Sequence, residues 1–196
     1  MLGVKNTRND ISIGGTPLPT TQKQRTNSPL RILISGGQTG ADRAGLDVAI
    51  RHGFPHGGWC PKGRKAEDGP IGGQYNLSET PTGNYLIRTE WNVRDSDGTV
   101  VLTLGRETTG GSLRTINFAR KHKKPCLHLS SHGSGYANPA LPLIQFVGEH
   151  GIQRLNIAGT RESKEPGIHA WTYQVIEDAF FWNEAHPGRL GGPGEG

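Results

Sequence analysis

The residues best suited to bind a ligand lie in a glycine-rich segment that follows a short apolar run. The segment reads Ser35-Gly36-Gly37-Gln38-Thr39-Gly40-Ala41-Asp42-Arg43. Glycine lets the backbone approach a ligand closely, and a helix that starts near Thr39 would point unpaired amides outward. Such amides and the helix dipole together favour an anion such as a phosphate group. The predicted ligand contacts in this segment are Gly36, Gly37, Gln38, Thr39, Gly40, Asp42 and Arg43.

The same segment also has a purely structural interpretation. Thr39 could cap the following helix, and Asp42, three residues later, could complete a capping box. The spacing matches neither the Gly-x-Gly-x-x-Gly dinucleotide fingerprint nor a P-loop, because Ala41 stands where a P-loop requires lysine. The missing lysine argues against an ATPase.

A second loop of the same character is Thr108-Thr109-Gly110-Gly111-Ser112, which opens a segment with a helical pattern. Flexible backbone, small hydroxyls and a helix N-terminus all suit phosphate oxygens. Gly-Gly-Ser is also ordinary linker chemistry, so the motif gains weight only if the first loop lies close to it. The predicted contacts here are Thr109, Gly110, Gly111, Ser112 and Thr115.

Side chains from two further segments could complete a site. Lys62 offers a point charge and Arg64 a planar fork for phosphate, although a basic run of this kind is also typical of a solvated surface. Glu90 and Asn92 could fix a heterocycle by hydrogen bonds, whereas Thr89 could simply cap a short helix.

The chain carries none of the common catalytic or metal-binding motifs. It has no Gly-x-Ser-x-Gly elbow and no His-Glu-x-x-His, and its eight histidines are scattered. Cys60 and Cys126 lie far apart in sequence, which indicates neither a disulfide framework nor a zinc site. No apolar run approaches the ~18 residues of a membrane span. We therefore expect a protein of the reducing cytoplasm with no membrane association and no metal site.

The elements that must position these loops are short, branched apolar runs typical of strands buried on both faces. Strong strands are predicted at 30–35, 98–104 and 154–158, and weaker ones at 84–89 and 125–129. Helices are predicted at 39–51, 112–121, 139–149 and 168–180, the last from an apolar stripe at helical spacing.

Strand, glycine loop and helix occur in that order three times, which predicts an α/β fold with a mainly parallel sheet and helices on both faces. Helical crossovers place the carboxyl ends of all parallel strands at one edge, where open sheets bind ligands. The loops after Ser35, Leu104 and Ala158 should therefore converge. The third of these could close over a ligand, or its Arg161 could pair with Glu162 or Glu165 at the surface.

Charge divides the chain unevenly. Residues 1–29 carry four basic side chains and one acidic one, so most of the net charge of +5 lies there. We predict a flexible polar leader at 1–29, one ligand-binding domain at 30–185 and a glycine-rich flexible tail at 186–196. This distribution argues against a nucleic-acid surface on the domain, but the leader and the run at 62–65 keep nucleic-acid binding as an alternative.

Several segments together resemble the putative molybdenum carrier family. They are ISGGQTGADRAGLD, GGWCPKGRKAEDG, IRTEWNVRDSDGTVVL, GGSLRT and NIAGTRES followed by PGI, in the expected order. The resemblance implies a Rossmann-like fold, a homo-oligomer and binding of the molybdenum cofactor (molybdopterin), a pterin with a terminal phosphate that is passed to molybdoenzymes. At matching positions, the anion contacts would fall on 36–40 and 110–112, with charge supplied by Arg43, Lys62 and Arg64.

One departure bears on activity. The wider clan includes lysine decarboxylase-like phosphoribohydrolases, whose Pro-Gly-Gly-x-Gly-Thr-x-x-Glu pattern ends in a glutamate that assists glycosidic-bond cleavage. Phe118 stands at that position here, three residues after Thr115. Without the carboxylate, a carrier is favoured over a nucleotide hydrolase. The hydrolase alternative would need a displaced acid from among Asp42, Glu67, Asp68 and Glu90.

Overall fold

The computed structural model describes residues 28–133 and 137–182. The predicted tail and all but the last two residues of the predicted leader lie outside these ranges. In chain order the elements are β1 (Ile32–Ser35), α1 (Ala41–Arg51), β2 (His56–Gly57), β3 (Trp59–Cys60), β4 (Lys65–Ala66), β5 (Gly69–Pro70), β6 (Ser78–Glu79), α2 (Tyr85–Arg94), β7 (Gly98–Thr103), α3 (Gly110–Lys121), β8 (Cys126–Ser130), α4 (Ala140–Glu149), β9 (Arg154–Gly159) and α5 (Ile168–Phe180).

The central sheet has five strands in the order β2-β1-β9-β7-β8, and every neighbouring pair is parallel. The three strongly predicted strands are β1, β7 and β9, which lie side by side in its middle. Their carboxyl ends share one edge, as predicted. The weaker strand prediction at 125–129 is confirmed as β8, and the four predicted helices are confirmed as α1, α3, α4 and α5.

Helices cover both faces of the sheet. All six residues of β7 are buried, which requires cover on each side. Helix α5 packs against both α1 and α4 over the larger core, whose strand residues include Leu33, Leu102 and Ile157. Helices α2 and α3 pack together, and α3 contacts β7, β8 and β9. This is a Rossmann-like α/β arrangement, as predicted.

The predicted strand at 84–89 is wrong, because this segment begins helix α2. The side chain of Asn84 caps the helix by accepting a hydrogen bond from the backbone amide of Leu86. The buried residues Arg88, Asn92 and Val93 recur at helical spacing on one face. Tertiary packing of that face outweighs the β propensity of the sequence Tyr-Leu-Ile.

The capping box considered as an alternative at the start of α1 does not form. Gly40 is the N-cap residue and contributes no side chain. The Thr39 hydroxyl instead donates a hydrogen bond to Glu67, and the amide of Ala41 donates to the carbonyl of Thr160 at 3.2 Å. The first turn of α1 is therefore packed against the loop after β9. Among residues 28–133 and 137–182, no helix is both long and apolar enough to cross a membrane.

Candidate functional site

A cleft of about 510 Å³ lies at the carboxyl edge of the sheet, and we refer to it as the edge cleft. The loops after β1, β7 and β9 and the facing sides of α2 and α3 form its walls. Lining residues include Gln38, Asp42, Tyr85, Arg88, Thr109, Gly110, Gly111, Ser112, Arg114, Thr115, Thr160, Arg161, Lys164 and Glu165. The three predicted loops therefore meet at one concave surface.

The N-terminus of α3 opens into the edge cleft without a side-chain cap. Thr109 is the N-cap residue, and its side chain makes no capping hydrogen bond. The first amide of α3 with an acceptor inside the helix is that of Leu113, which donates to the carbonyl of Thr109 at 3.3 Å. The helix itself therefore does not satisfy the backbone amides of Gly110, Gly111 and Ser112. Thr115 lies one turn deeper, and its hydroxyl donates to the carbonyl of Gly111 at 3.0 Å. This terminus can donate several hydrogen bonds to one anion.

Gln38 is a buried polar residue that lines the same cleft. The residue is 3% exposed, and its Oε1 accepts hydrogen bonds from the backbone amides of Thr39 at 3.0 Å and Glu67 at 2.9 Å. These two donors fix the orientation of the amide group. In the part of the chain that the structure describes, the Nε2 atom has no partner.

Arg88 and Asp42 form a buried ion pair at the floor of the edge cleft. Arg88 Nη1 donates to Asp42 Oδ2 at 2.8 Å, and Gly36 leaves room for the guanidinium, because a Cβ there would lie 2.2 Å from Nη1. Burial raises the pKa of the Asp42 carboxyl, although the Arg88 charge acts to lower it. The Arg88 Nε atom has no hydrogen-bond partner among the described residues.

Cationic side chains lie around the mouth of the cleft. The Arg161 guanidinium lies over the Tyr85 ring, 5.2 Å from its centroid, and 4.0 Å from Glu67. It pairs with neither Glu162 nor Glu165, the partners considered from the sequence. Arg114 and Lys164 are exposed, and neither forms an ion pair with another described residue. The exposed Glu107 also lines the cleft, so Arg114 and Lys164 provide local positive charge rather than a uniformly basic mouth.

Two carboxylates hold the loops of the cleft in place. Glu165 accepts hydrogen bonds from the amides of Leu104 at 2.7 Å and Gly105 at 3.0 Å, which ties the loop after β9 to the loop after β7. Glu67 accepts from the hydroxyl of Ser163 at 2.6 Å and from that of Thr39. Burial acts to raise the pKa of Glu67, but the hydrogen bonds from Ser163 and Thr39 outweigh it and lower that pKa.

Replacing Glu67 with glutamine is expected to lower the free energy of unfolding by about 1 kcal/mol at neutral pH, because charge-assisted hydrogen bonds become neutral ones. A carboxyl whose pKa is lowered by folding stabilises the protein above its ordinary pKa of 4.5 and loses that effect as the pH falls through the folded value. The difference between wild type and variant in urea unfolding should therefore shrink on acidification. A constant difference would contradict this role. Glu149→Gln, on the exposed surface of α4, is the control.

Seven of the predicted contact residues line the edge cleft, namely Gln38, Asp42, Thr109, Gly110, Gly111, Ser112 and Thr115. Three others, Thr39, Gly40 and Arg43, line a separate pocket of about 440 Å³ that also contains Asp47, Tyr75 and His169. There Arg43 donates to both oxygens of Asp68 at 3.2 Å.

The remaining predicted residues do not line the edge cleft. Gly36 packs against Arg88, Gly37 packs against Leu77 and Ile71, and Lys62 is exposed. The Arg64 guanidinium donates to four backbone carbonyls of 71–77, so it organises its own loop.

The expected contacts of Glu90 and Asn92 with a ligand depended on the strand that proved to be α2. Glu90 accepts hydrogen bonds from Lys121 at 2.7 Å and interacts with His122 at 3.0 Å. Asn92 is buried and bonds to both backbone groups of Trp59. Their polar groups therefore hold α2 to α3 and to β3.

Sequence reasoning missed Tyr85, Arg88, Lys164 and Glu165 as cleft residues. The helical register of 85–94 would have placed Tyr85 and Arg88 on related faces, but the strand assignment concealed it. Lys164 and Glu165 follow the third predicted loop by one or two residues and carry no motif. Among the described residues, no group of three or more His, Cys, Asp or Glu side chains could hold a metal ion.

Comparisons with known proteins agree with this architecture. Residues 33–180 match the family model described as the Circularly permutated YpsA SLOG family. The crystal structure named "Putative molybdenum carrier protein" from Syntrophus aciditrophicus SB is 46% identical in sequence, with a TM-score of 0.74 over 79% of this chain and 96% of that one. No curated protein matches the chain. The resemblance seen in the sequence is confirmed, and the chain belongs to the circularly permuted YpsA family of SLOG proteins.

Proposed function

We propose that the protein binds a small phosphorylated, ring-containing ligand in the edge cleft and carries it, with the molybdenum cofactor as the ligand and molybdoenzymes as its recipients. One observation carries the proposal: the uncapped N-terminus of α3 lines the same cleft as Gln38, whose buried Nε2 has no partner among the described residues. Buried donors without partners are rare in native proteins, and a ligand acceptor would satisfy this one.

The phosphate end of the ligand belongs at α3. The amides of Gly111 and Ser112 would donate to phosphate oxygens, and the helix dipole adds to the attraction. Arg114 and Lys164 are exposed at the mouth and would supply charge without breaking an existing ion pair. In this arrangement the backbone amides of α3 and the side chains of Arg114 and Lys164 take the place of the P-loop lysine.

The ring end of the ligand belongs deeper, between Tyr85 and the buried groups of the floor. Tyr85 and Leu86 supply apolar surface on one wall, and Gln38 and Arg88 supply polar groups. A volume of about 510 Å³ falls within the ~300–1,000 Å³ range of small-molecule sites. A phosphorylated pterin has this combination of a flat polar ring and a terminal anion, and the structural relative named as a molybdenum carrier favours that choice.

The test is to purify the protein anaerobically and to analyse co-purifying small molecules by mass spectrometry and molybdenum content, followed by titration of emptied protein with molybdopterin. We expect saturable binding that Arg114→Glu weakens at least tenfold, since one charge is reversed at the mouth. Arg120→Glu, an exposed arginine on the same helix outside the cleft, should bind as wild type does. Equal affinity in all three proteins would contradict the assignment.

A nucleotide hydrolase is the second candidate, and one observation favours it. Asp42 lies in the edge cleft with a raised pKa, which suits a general acid. The other acids considered from the sequence, Glu67, Asp68 and Glu90, do not line the cleft. The test is to incubate the protein with nucleoside monophosphates and to measure released free base. Release by wild type that is lost in Asp42→Asn would support a hydrolase rather than a carrier.

A further inference from the structure

We infer that the floor of the edge cleft selects ligands by the edge of their ring: it accepts an oxo-substituted ring and rejects one that presents an amino group at the same place. This inference rests on the proposed function, because it concerns the ring end of the ligand bound there. The groups that carry it are Gln38 and Arg88, which are 3% and 8% exposed.

Gln38 can act only as a donor toward the cleft. A free glutamine amide can donate and accept at once, and in that way it pairs with the amino group and ring nitrogen of adenine. Here Oε1 already accepts from the amides of Thr39 and Glu67, at 3.0 and 2.9 Å. Turning the amide over would set its NH₂ group against those two N–H donors. Nε2 is therefore fixed as a donor, and among the described residues it has no partner. Because Gln38 lines the cleft, this is the donor that a bound ring would satisfy.

Arg88 adds a second group of the same polarity. Arginine has five N–H donors and no acceptor. Its Nη1 is held by Asp42 at 2.8 Å, which fixes the guanidinium, and its Nε has no partner among the described residues. The Asp42 carboxylate, the acceptor beside Arg88, is already engaged by Nη1. The two unpartnered polar atoms described for the floor, Gln38 Nε2 and Arg88 Nε, are thus both donors.

Two fixed donors match a ring edge that carries acceptors. Guanine presents O6 and N7, both acceptors, whereas adenine presents an N6 amino donor beside N7. An oxo-substituted pterin resembles guanine in its oxo group. The hydroxyls of Ser112, Thr115 and Thr160 can donate or accept, so they do not favour either ring. An amino group on the ring would place a donor against the donors of Gln38 and Arg88. These buried groups would then stay without hydrogen bonds, which costs binding free energy.

The experiment compares nucleoside monophosphates that differ at this edge, titrated into purified full-length protein by calorimetry. GMP and IMP should bind roughly tenfold or more tightly than AMP, since a matched pair of hydrogen bonds discriminates by about this factor. Ribose 5-phosphate reports on the phosphate end alone. Gln38→Glu, which replaces the donor with an acceptor, should abolish the preference, while Gln145→Glu on the exposed surface of α4 should keep it.

The outcomes separate the two proposals. Equal binding of GMP, IMP and AMP, with measurable binding of ribose 5-phosphate, would overturn the selection inference and leave the phosphate site standing. Absence of binding by all four compounds and by molybdopterin would overturn the proposed function and the inference with it. The wild-type ratio of IMP to AMP affinity needs no variant, so the inference is decided even if Gln38→Glu does not fold.

Discussion

Replacing Gly111 with aspartate is expected to weaken binding of a phosphorylated ligand by roughly a hundredfold, because a carboxylate would stand where the phosphate binds. Gly111 is the second residue of α3 and lines the edge cleft. A Cβ built there meets no atom within 4 Å, so the new side chain finds open space. Calorimetric titration with IMP or molybdopterin measures the effect.

The same substitution should not destabilise the fold. An acidic residue in the first turn of a helix interacts favourably with the helix dipole, by about 0.3–1 kcal/mol. We therefore expect the melting temperature of Gly111→Asp to equal or exceed that of wild type. Loss of binding with retained stability distinguishes a ligand site from a structural role of the glycine pair.

Leu141→Asp is the matched control, because it places the same charge in the first turn of α4 at an exposed position outside the cleft. Its affinity should equal that of wild type. Undiminished binding by Gly111→Asp would show that the anion does not bind at α3.

Replacing Arg88 with methionine is expected to lower the free energy of unfolding by about 3–5 kcal/mol, because Asp42 would be left as an unpaired buried charge. Both members of the pair are less than 10% exposed, and Nη1 and Oδ2 are 2.8 Å apart. Arg120→Met, an exposed change on α3, should cost little in urea unfolding. The double variant Asp42→Asn/Arg88→Met should recover much of the loss, since neither charge remains.

The loss in Arg88→Met should also depend on pH. Burial raises the pKa of Asp42 even beside Arg88, and removing Arg88 takes away an influence that lowers it. An acid whose pKa is raised by folding opposes folding at pH values above its ordinary pKa, which is 3.8 for Asp42, and most strongly above the folded value. The opposition declines as the pH falls through the folded value and is gone below the ordinary one. The difference from wild type should therefore be smaller at about pH 5 than at about pH 8. A difference independent of pH would show that Asp42 is not the cause.

The sheet and most helices were predictable because burial on both faces leaves a simple sequence signal. β7 contains the branched apolar run Val100–Leu102, β9 contains Leu155, Ile157 and Ala158, and α5 shows a clear apolar stripe. α2 gives no such signal, because its buried residues include Arg88 and Asn92, which are polar and are satisfied only by distant partners. Local secondary-structure propensity does not include the hydrogen bonds of Arg88 to Asp42 and of Asn92 to Trp59, because these partners are distant in sequence.

The site was predictable only in outline for a similar reason. A glycine in the sequence indicates free space beside the backbone or an unusual backbone conformation. It does not indicate whether a ligand or another part of the protein fills that space. Gly110 and Gly111 face the cleft, whereas Gly36 makes space for Arg88 and Gly40 packs its left-handed backbone against the carbonyl of Thr160. The same residue type thus serves a ligand in one loop and internal packing in another. The domain limits, homo-oligomerisation and cytoplasmic location stay predictions.

The most direct test is a crystal structure of the protein with IMP bound. We expect phosphate oxygens about 3 Å from the amides of Gly111 and Ser112, and the ring oxo group at a similar distance from Gln38 Nε2. Nucleotide bound instead in the pocket beside Arg43 and Asp47, with the edge cleft closed to it, would contradict the assignment.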